Sequence, residues 1–343
     1  MPDAPVRVTI LGCGQMGLVC AEMLCRSARP VEVTVWGHDQ DEVGELSQMR
    51  RSTRLPEYEL DPSVRVALTD GAALEGADLI VSAVPTQHTR GAWERLRPVV
   101  PADASVVSVA KGIENGTLLR PTQVIADALA DDPDARPRRI GCLSGPTIAT
   151  ELARCLPATM IAASDEPAFA EAIQHLFTTT WMRIYTNPDL LGVELAGATK
   201  NVIAIAAGVL DGMQAGSNAK SALLARGLAE ITRLGVAMGA DSDTFFGIAG
   251  VGDLATTCFS PFGRNRSCGE ALGKGEALDA YLARTASVVE GVATTRSVME
   301  LAERYRVEMP IASAVHRVLF EGLDPLDAIA GLMSREMKDE TVG

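Results

Sequence analysis

A glycine triplet set between two elements of different period constrains this 343-residue chain more than any other feature. Val6–Leu11 (VRVTIL) is rich in β-branched residues and reads as a strand, and the stretch from Gly14 to about Ser27 reads as an apolar helix. Between them Gly12-Cys13-Gly14-Gln15-Met16-Gly17 spells G-x-G-x-x-G. In a chain with 31 glycines the triplet alone means little; the strand before it and the helix after it make it specific. The first glycine permits the tight turn, the second lets a pyrophosphate approach the backbone, and the third lets helix and strand pack closely. The helix start then offers N–H groups and the positive end of its dipole to an anion. Gly12, Gly14 and Gly17 are therefore expected to bind a dinucleotide.

The elements that follow agree. Val31–Trp36, Ala77–Val84, Ala104–Val109 and Arg139–Leu143 are short apolar runs separated by helical stretches around Thr89–Arg97 and Pro121–Leu129. Strands apolar on both faces and alternating with helices predict a parallel sheet covered on both sides. Ala158–Ala163 and Met182–Tyr185 are expected to extend it. After Asn187-Pro188-Asp189 the pattern turns helical, with Leu190–Met213, Ala219–Met238, Pro261–Leu272 and Ser297–Tyr305 at period 3.6. The expected fold class is α/β: an N-terminal Rossmann-type doubly wound sheet over residues 1–188 and an all-helical C-terminal domain over 189–343.

Composition excludes several partners. Lys+Arg total 31 against Asp+Glu 44, a net charge of −13, so nucleic acid and anionic lipid surfaces are repelled. The longest apolar stretch, Leu190 to Met213, is interrupted by Glu194, Lys200 and Asp211, which argues against membrane insertion. Seven scattered cysteines without a Cys-x-x-Cys pair, and four histidines, give no metal-ligand spacing. Buried free thiols and an N-terminus without a signal peptide point to the cytoplasm.

Cofactor choice turns on the end of the second predicted strand, Val35-Trp36-Gly37-His38-Asp39. An acid there would bind the ribose hydroxyls of NAD. Gly37 at the matching position leaves room for a 2′-phosphate and His38 can donate to it, so NADP is favoured, with NAD the alternative. Asp39 argues for NAD if it turns inward and is otherwise a solvated turn residue.

Further candidates lie beyond the fingerprint. Lys111 follows a buried strand and precedes glycine, a placement at the carboxyl end of a parallel strand where ligands bind. Lys200 sits in the apolar stretch Glu194–Ala204, with apolar residues or glycine at 196, 197, 203, 204 and 207. Burial lowers a lysine pKa and equips it for general acid/base work. Asp253, ending Gly250-Val251-Gly252, either caps the next helix or holds the Lys200 ammonium. Arg264-Asn265-Arg266 offers a guanidinium fork and an amide to a phosphate, or simply a charged helix start. Gly145 and Thr147 lie in a turn at a strand's carboxyl end.

The stretches GCGQMG, VWGHD, VAKGIE, LSGPTIATELA, GVELAGATKNVIAIAAGVLDG, GVGDLATTC, GRNRSCG and VVEGVATT, in this order, resemble the bacterial NAD(P)-dependent glycerol-3-phosphate dehydrogenases. The resemblance implies that Gln15, Met16 and His38 line the cofactor, with Ala149, Val288 and Glu290. It implies that Lys111 and Arg264 touch cofactor and substrate, that Gly145, Thr147, Asp253, Gly263 and Asn265 hold substrate, and that Lys200 binds it and exchanges the proton. The family often has serine or tyrosine where this chain has Gln15 and Met16, and serine where it has Gly263, which removes a side-chain donor. The implied reaction is hydride transfer between NAD(P)H and dihydroxyacetone phosphate, in a cleft between the domains, giving sn-glycerol 3-phosphate for phospholipid synthesis. A homodimer is compatible with the family. Two rivals share parts of the pattern: a reductase of 3-hydroxy acids or pyrroline-5-carboxylate, and a non-catalytic NADP-binding regulator.

Overall fold

A computed structural model describes residues 4–131, 137–285, 287–337 and 339. The chain divides into two compact units: residues 1–110 with 121–190, and residues 111–120 with 191–343. The ten-residue excursion 111–120 interrupts the single cut expected near residue 188 and carries Lys111 into the second unit.

The first unit holds β1 (Val6–Leu11), β2 (Val31–Trp36), β3 (Arg65–Ala67), β4 (Leu79–Ser82), β5 (Ser105–Ser108), β6 (Ile140–Ser144), β7 (Ala158–Ala163) and β8 (Met182–Asn187). They form one sheet in the order β3-β2-β1-β4-β5-β6-β7-β8, parallel throughout except where β7 runs antiparallel to β6. The three-residue β3 is too short to leave a periodic signal in the sequence. In register, Ile10 lies beside Val35 and Val81, while Leu11 lies beside Trp36 and Ser82. Ile10, Val35 and Val81 feed one hydrophobic cluster; Leu11, Trp36 and Ile80 feed another. Both faces are covered, which is why β4 reads as a nearly continuous apolar run broken only by Ser82.

The helices of this unit are α1 (Gln15–Cys25), α2 (Gln40–Met49), α3 (Asp70–Leu74), α4 (Thr86–Leu96), α5 (Pro121–Leu129), α6 (Ala149–Leu152) and α7 (Pro167–Phe177). Strand order reverses direction at β1 and β4, the switch point where ligands bind beyond the strand ends in such sheets.

The second unit is helical: α8 (Leu190–Gly212), α9 (Gly216–Ala237), α10 (Ser242–Phe246), α11 (Asp253–Phe259), α12 (Arg264–Gly273), α13 (Leu278–Arg284), α14 (Glu290–Tyr305), α15 (Pro310–Phe320) and α16 (Pro325–Met333). A five-residue π turn, Ile248–Gly252, precedes α11. By length and composition α8 could cross a membrane, yet 94% of its apolar window is buried: it is the core helix of this unit. It meets α12 through glycines on both sides. A Cβ on Gly208 would lie 1.9 Å from the Arg266 carbonyl oxygen, and one on Gly269 would lie 1.9 Å from that of Ile205. This backbone contact holds the start of α12 close to α8.

Candidate active site

The fingerprint forms the expected cradle. Gly12 has φ +115°, and a Cβ there would lie 2.7 Å from the Ala83 carbonyl oxygen. A Cβ on Gly17 would lie 1.8 Å from the Gly12 oxygen, so the third glycine is what lets α1 start against β1. A Cβ on Gly14 would touch nothing within 4 Å, and Gly14, the N-cap residue of α1, makes no side-chain cap. An open glycine at an uncapped helix start fits the pyrophosphate of a dinucleotide. Gln15 and Met16 are partly used elsewhere: Gln15 Nε2 donates to the Arg54 carbonyl at 2.9 Å, and Met16 packs against the sheet cluster.

At the end of β2 the structure revises the sequence argument. Gly37 leaves no room for a phosphate, because a Cβ there would meet Cys13 Sγ at 2.5 Å and Val43 at 2.6 Å; it is small to fit its own core. Asp39 caps α2, accepting from the Asp41 and Glu42 amides at 3.0 and 3.1 Å, and these bonds hold its carboxyl below the usual range. His38 is exposed, with Nδ1 3.1 Å from Arg95 Nη1. Arg95, from α4, is held by two bonds of 2.8 Å to Asp70 and lies over the Trp36 ring. Gly145 follows β6 with φ +134°, a conformation suited to glycine, and Thr147 and Ala149 are half-buried just beyond.

In the second unit the strap (residues 111–120) and α8 bring two lysines to one carboxylate on α11. Asp253 is 1% exposed. Its Oδ1 accepts from Lys200 Nζ at 2.7 Å and its Oδ2 from Lys111 Nζ at 2.7 Å. Lys200, 5% exposed, also bonds Thr257 Oγ1 at 2.5 Å, and Thr257 in turn donates to the Asp253 carbonyl at 2.7 Å. Asp253 is thus the holder of the ammonium, and no side chain caps α11. The π turn before it depends on Gly250, where a Cβ would lie 2.0 Å from the Phe245 carbonyl oxygen; π turns of this kind recur at functional sites.

Burial lowers the Lys200 pKa to about 8, and the neighbouring Lys111 adds to the effect while Asp253 opposes it. At pH 7 roughly a tenth of such a group is neutral, against about one part in 2,500 for an ordinary lysine. Two ammonium groups on one carboxylate leave a local charge of +1 in a protein of net −13. That excess favours an anionic ligand.

Beside this cluster, α12 and α14 meet. Gly263 is the N-cap residue of α12. Asn265 is 8% exposed and its Oδ1 accepts from the Gly291 amide at 2.8 Å. Exposed Arg264 donates from Nη1 to the Val288 carbonyl at 3.3 Å, next to Glu290 at the start of α14. Arg266 is different: buried, it spends its fork on Asp211, Glu270 and the Ser260 carbonyl. Of the two arginines in the motif only Arg264 is exposed.

The candidates therefore fall into two sets. Gly12, Gly14, Gln15, Met16, Gly17, His38, Gly145, Thr147 and Ala149 belong to the first unit. Lys111, Lys200, Asp253, Gly263, Arg264, Asn265, Val288 and Glu290 belong to the second. Sequence reading missed Thr257, Asn201 and Arg95. Thr257 was legible as the i+4 neighbour of Asp253. Asn201, whose Nδ2 donates to the Lys111 carbonyl at 3.3 Å, stands next to Lys200 in an otherwise apolar helix. Arg95 left no local signal.

The family described as NAD-dependent glycerol-3-phosphate dehydrogenase N-terminus matches residues 7–170, and its C-terminus counterpart matches residues 189–330. A Salinibacter ruber protein named glycerol-3-phosphate dehydrogenase (NAD(P)+) 2 is 44% identical over 334 residues, 97% of this chain and 96% of its own. A Staphylococcus aureus protein named glycerol-3-phosphate dehydrogenase (NAD(P)+) is 40% identical over 335 residues, 97% and 99% of the two chains. The crystal structure of glycerol-3-phosphate dehydrogenase from Coxiella burnetii aligns with TM-score 0.90 at 34% identity, covering 96% of this chain and 99% of that one. Matched in both halves, the chain belongs to the NAD-dependent glycerol-3-phosphate dehydrogenase family.

Proposed function

We propose that the protein catalyses reversible hydride transfer between NAD(P)H and the carbonyl of dihydroxyacetone phosphate, giving sn-glycerol 3-phosphate, the backbone of membrane phospholipids. The observation that carries this reading is the buried Lys200 on Asp253. A bound nicotinamide supplies or accepts the hydride. In reduction Lys200 Nζ gives its proton to the alkoxide oxygen as it forms; in oxidation the neutral amine takes it back. Asp253 and Thr257 fix the ammonium, so the proton is delivered from a set position. Lys111 adds positive charge beside the developing oxyanion. Arg264 and the Nδ2 donors of Asn265 grip the phosphate, the Asn265 oxygen being committed to Gly291. The test is the fall of nicotinamide absorbance when NADPH or NADH is mixed with dihydroxyacetone phosphate. No turnover with either would sink the assignment. Inhibition by glycerol 3-phosphate but not by glycerol separates it from reductases of unphosphorylated substrates.

NADP is the preferred cofactor in this reading, since Asp39 is spent on its cap and Arg95 joins His38. A guanidinium beside the 2′-phosphate would make a charge-assisted bond of ~1.5–3 kcal/mol, or about 10–100-fold in affinity. Arg95→Gln is therefore expected to raise the KM for NADPH by about 10-fold or more and leave that for NADH nearly unchanged. An equal change in both would remove Arg95 from cofactor selection. Cytoplasmic residence accords with seven free cysteines, and a homodimer completes the proposal.

A further inference from the structure

Between β5 and α5 the chain leaves the first unit for ten residues, Lys111 to Arg120, and the way this strap is fastened has no part in the chemistry above. Its middle is closed on itself: the Glu114 amide donates to the Leu119 carbonyl at 2.9 Å, and the Leu118 amide donates to that of Glu114 at 3.0 Å. Leu118 has φ +62° and Gly116 φ +84°, so the loop has one specific shape. Ile113 is wholly buried in the second unit's core. Ser297 Oγ on α14 contacts both the Ile113 carbonyl, at 3.2 Å, and Asn115 Oδ1, at 2.7 Å.

Both ends are held by α8. Asn201 grips the Lys111 carbonyl, and Glu194 Oε2 accepts from Arg120 Nη1 at 2.5 Å. Seven residues apart, the two lie on one face of the helix, two turns from each other. The Glu194 side chain is 2% exposed and that of Arg120 14%. A carboxylate buried in an apolar helix is costly unless paired, and its partner here is the last residue of the strap.

We infer that Glu194 is a positioning residue: through Arg120 it pins the far end of the strap, and the strap holds Lys111 on Asp253. The inference rests on the reading of Lys200 as the proton-transfer group, and it reaches that group through charge. Lys200 faces Asp253, Thr257 and Cys258 from α11 and Lys111 from the strap. Lys111 works against the Lys200 ammonium, so a loosened strap lets Lys200 keep its proton to higher pH.

The test is Glu194→Gln in the full-length enzyme, assayed with NADPH and dihydroxyacetone phosphate across the pH range of the lysine's titration. Misplacement of a site group by about 1 Å can cost ~100-fold, so a fall in kcat of about 10-fold or more is expected. The alkaline limb of the reduction profile should move upward, with NADPH affinity unchanged. Ser297→Ala unties the same strap without disturbing a buried charge and should move the limb the same way; it decides the matter if Glu194→Gln does not fold. A folded variant with the wild-type limb, or a lower kcat without a limb shift, overturns the inference. Lys200→Ala is run alongside. Turnover retained there fails the proton-transfer reading itself, whereas turnover lost there with an unmoved limb in Glu194→Gln fails the strap alone.

Discussion

Lys200→Ala is expected to lower kcat by about 10²–10⁴-fold, the usual worth of a positioned proton donor, while NADPH binds almost as before. The separation follows from the division of the chain, because the fingerprint glycines lie in the first unit and Lys200 in the second. The sign of the pH dependence follows from a Lys200 pKa of about 8. Reduction needs the ammonium, so its rate is high below that pH and falls as pH rises through it. Oxidation needs the neutral amine, so its rate rises through the same window. An ordinary lysine at about 10.4 would place both limbs more than two units higher. Rate profiles in the two directions, with a mirror-image crossing near pH 8, would establish the assignment. Flat profiles through that window would end it, as would an alanine variant whose main defect is weak NADPH binding.

How far this arrangement was legible in the sequence depends on the range of each signal. The strand–glycine–helix unit was readable because the constraint is local: Gly12 and Gly17 meet backbone within a few residues or on an adjacent strand. Lys200 was readable as a charge whose neighbours on the same helix face, at 196, 197, 203, 204 and 207, are apolar or glycine. The same logic would have exposed Glu194, a second charge buried in that helix, had its partner been sought 74 residues away. What failed was inference from absence. Gly37 suggested space for a ligand, but the space is filled by Cys13 and Val43 from its own unit. Arg95 reaches His38 from 57 positions away, through the packing of α4, and nothing in either segment announces it. The excursion 111–120 was hidden for a similar reason. A ten-residue loop between strand and helix reads as a connection, and only Ile113 and Leu118, apolar and buried in the second unit, give away its destination.

Asp253→Asn should produce the largest combined loss, because it takes the shared counter-ion from two lysines at once. Removing one partner of a buried pair costs about 3–5 kcal/mol when the stranded charge must stay. Lys200 has a cheaper course. With its pKa already near 8, losing the proton at pH 7 costs only about 1.4 kcal/mol, at 1.36 kcal/mol per unit. The variant is therefore expected to fold with Lys200 neutral, and the stability penalty depends on pH in a defined way. A lysine depressed in the folded state destabilises it fully at pH below the folded pKa, and the penalty disappears as pH rises toward the unfolded value of ~10.4. Loss of Asp253 depresses the folded value further, so the gap between variant and wild type should be widest at low pH and narrow above pH 8. Denaturant unfolding on either side of that pH measures it. The same proton accounts for the activity. A neutral Lys200 cannot protonate an alkoxide, so reduction at neutral pH should fall by about 100-fold or more, while the pH optimum of oxidation moves downward. A stability gap that stays constant with pH would mean that the Asp253 carboxylate does not govern the charge on Lys200, and the mechanism would lose its anchor.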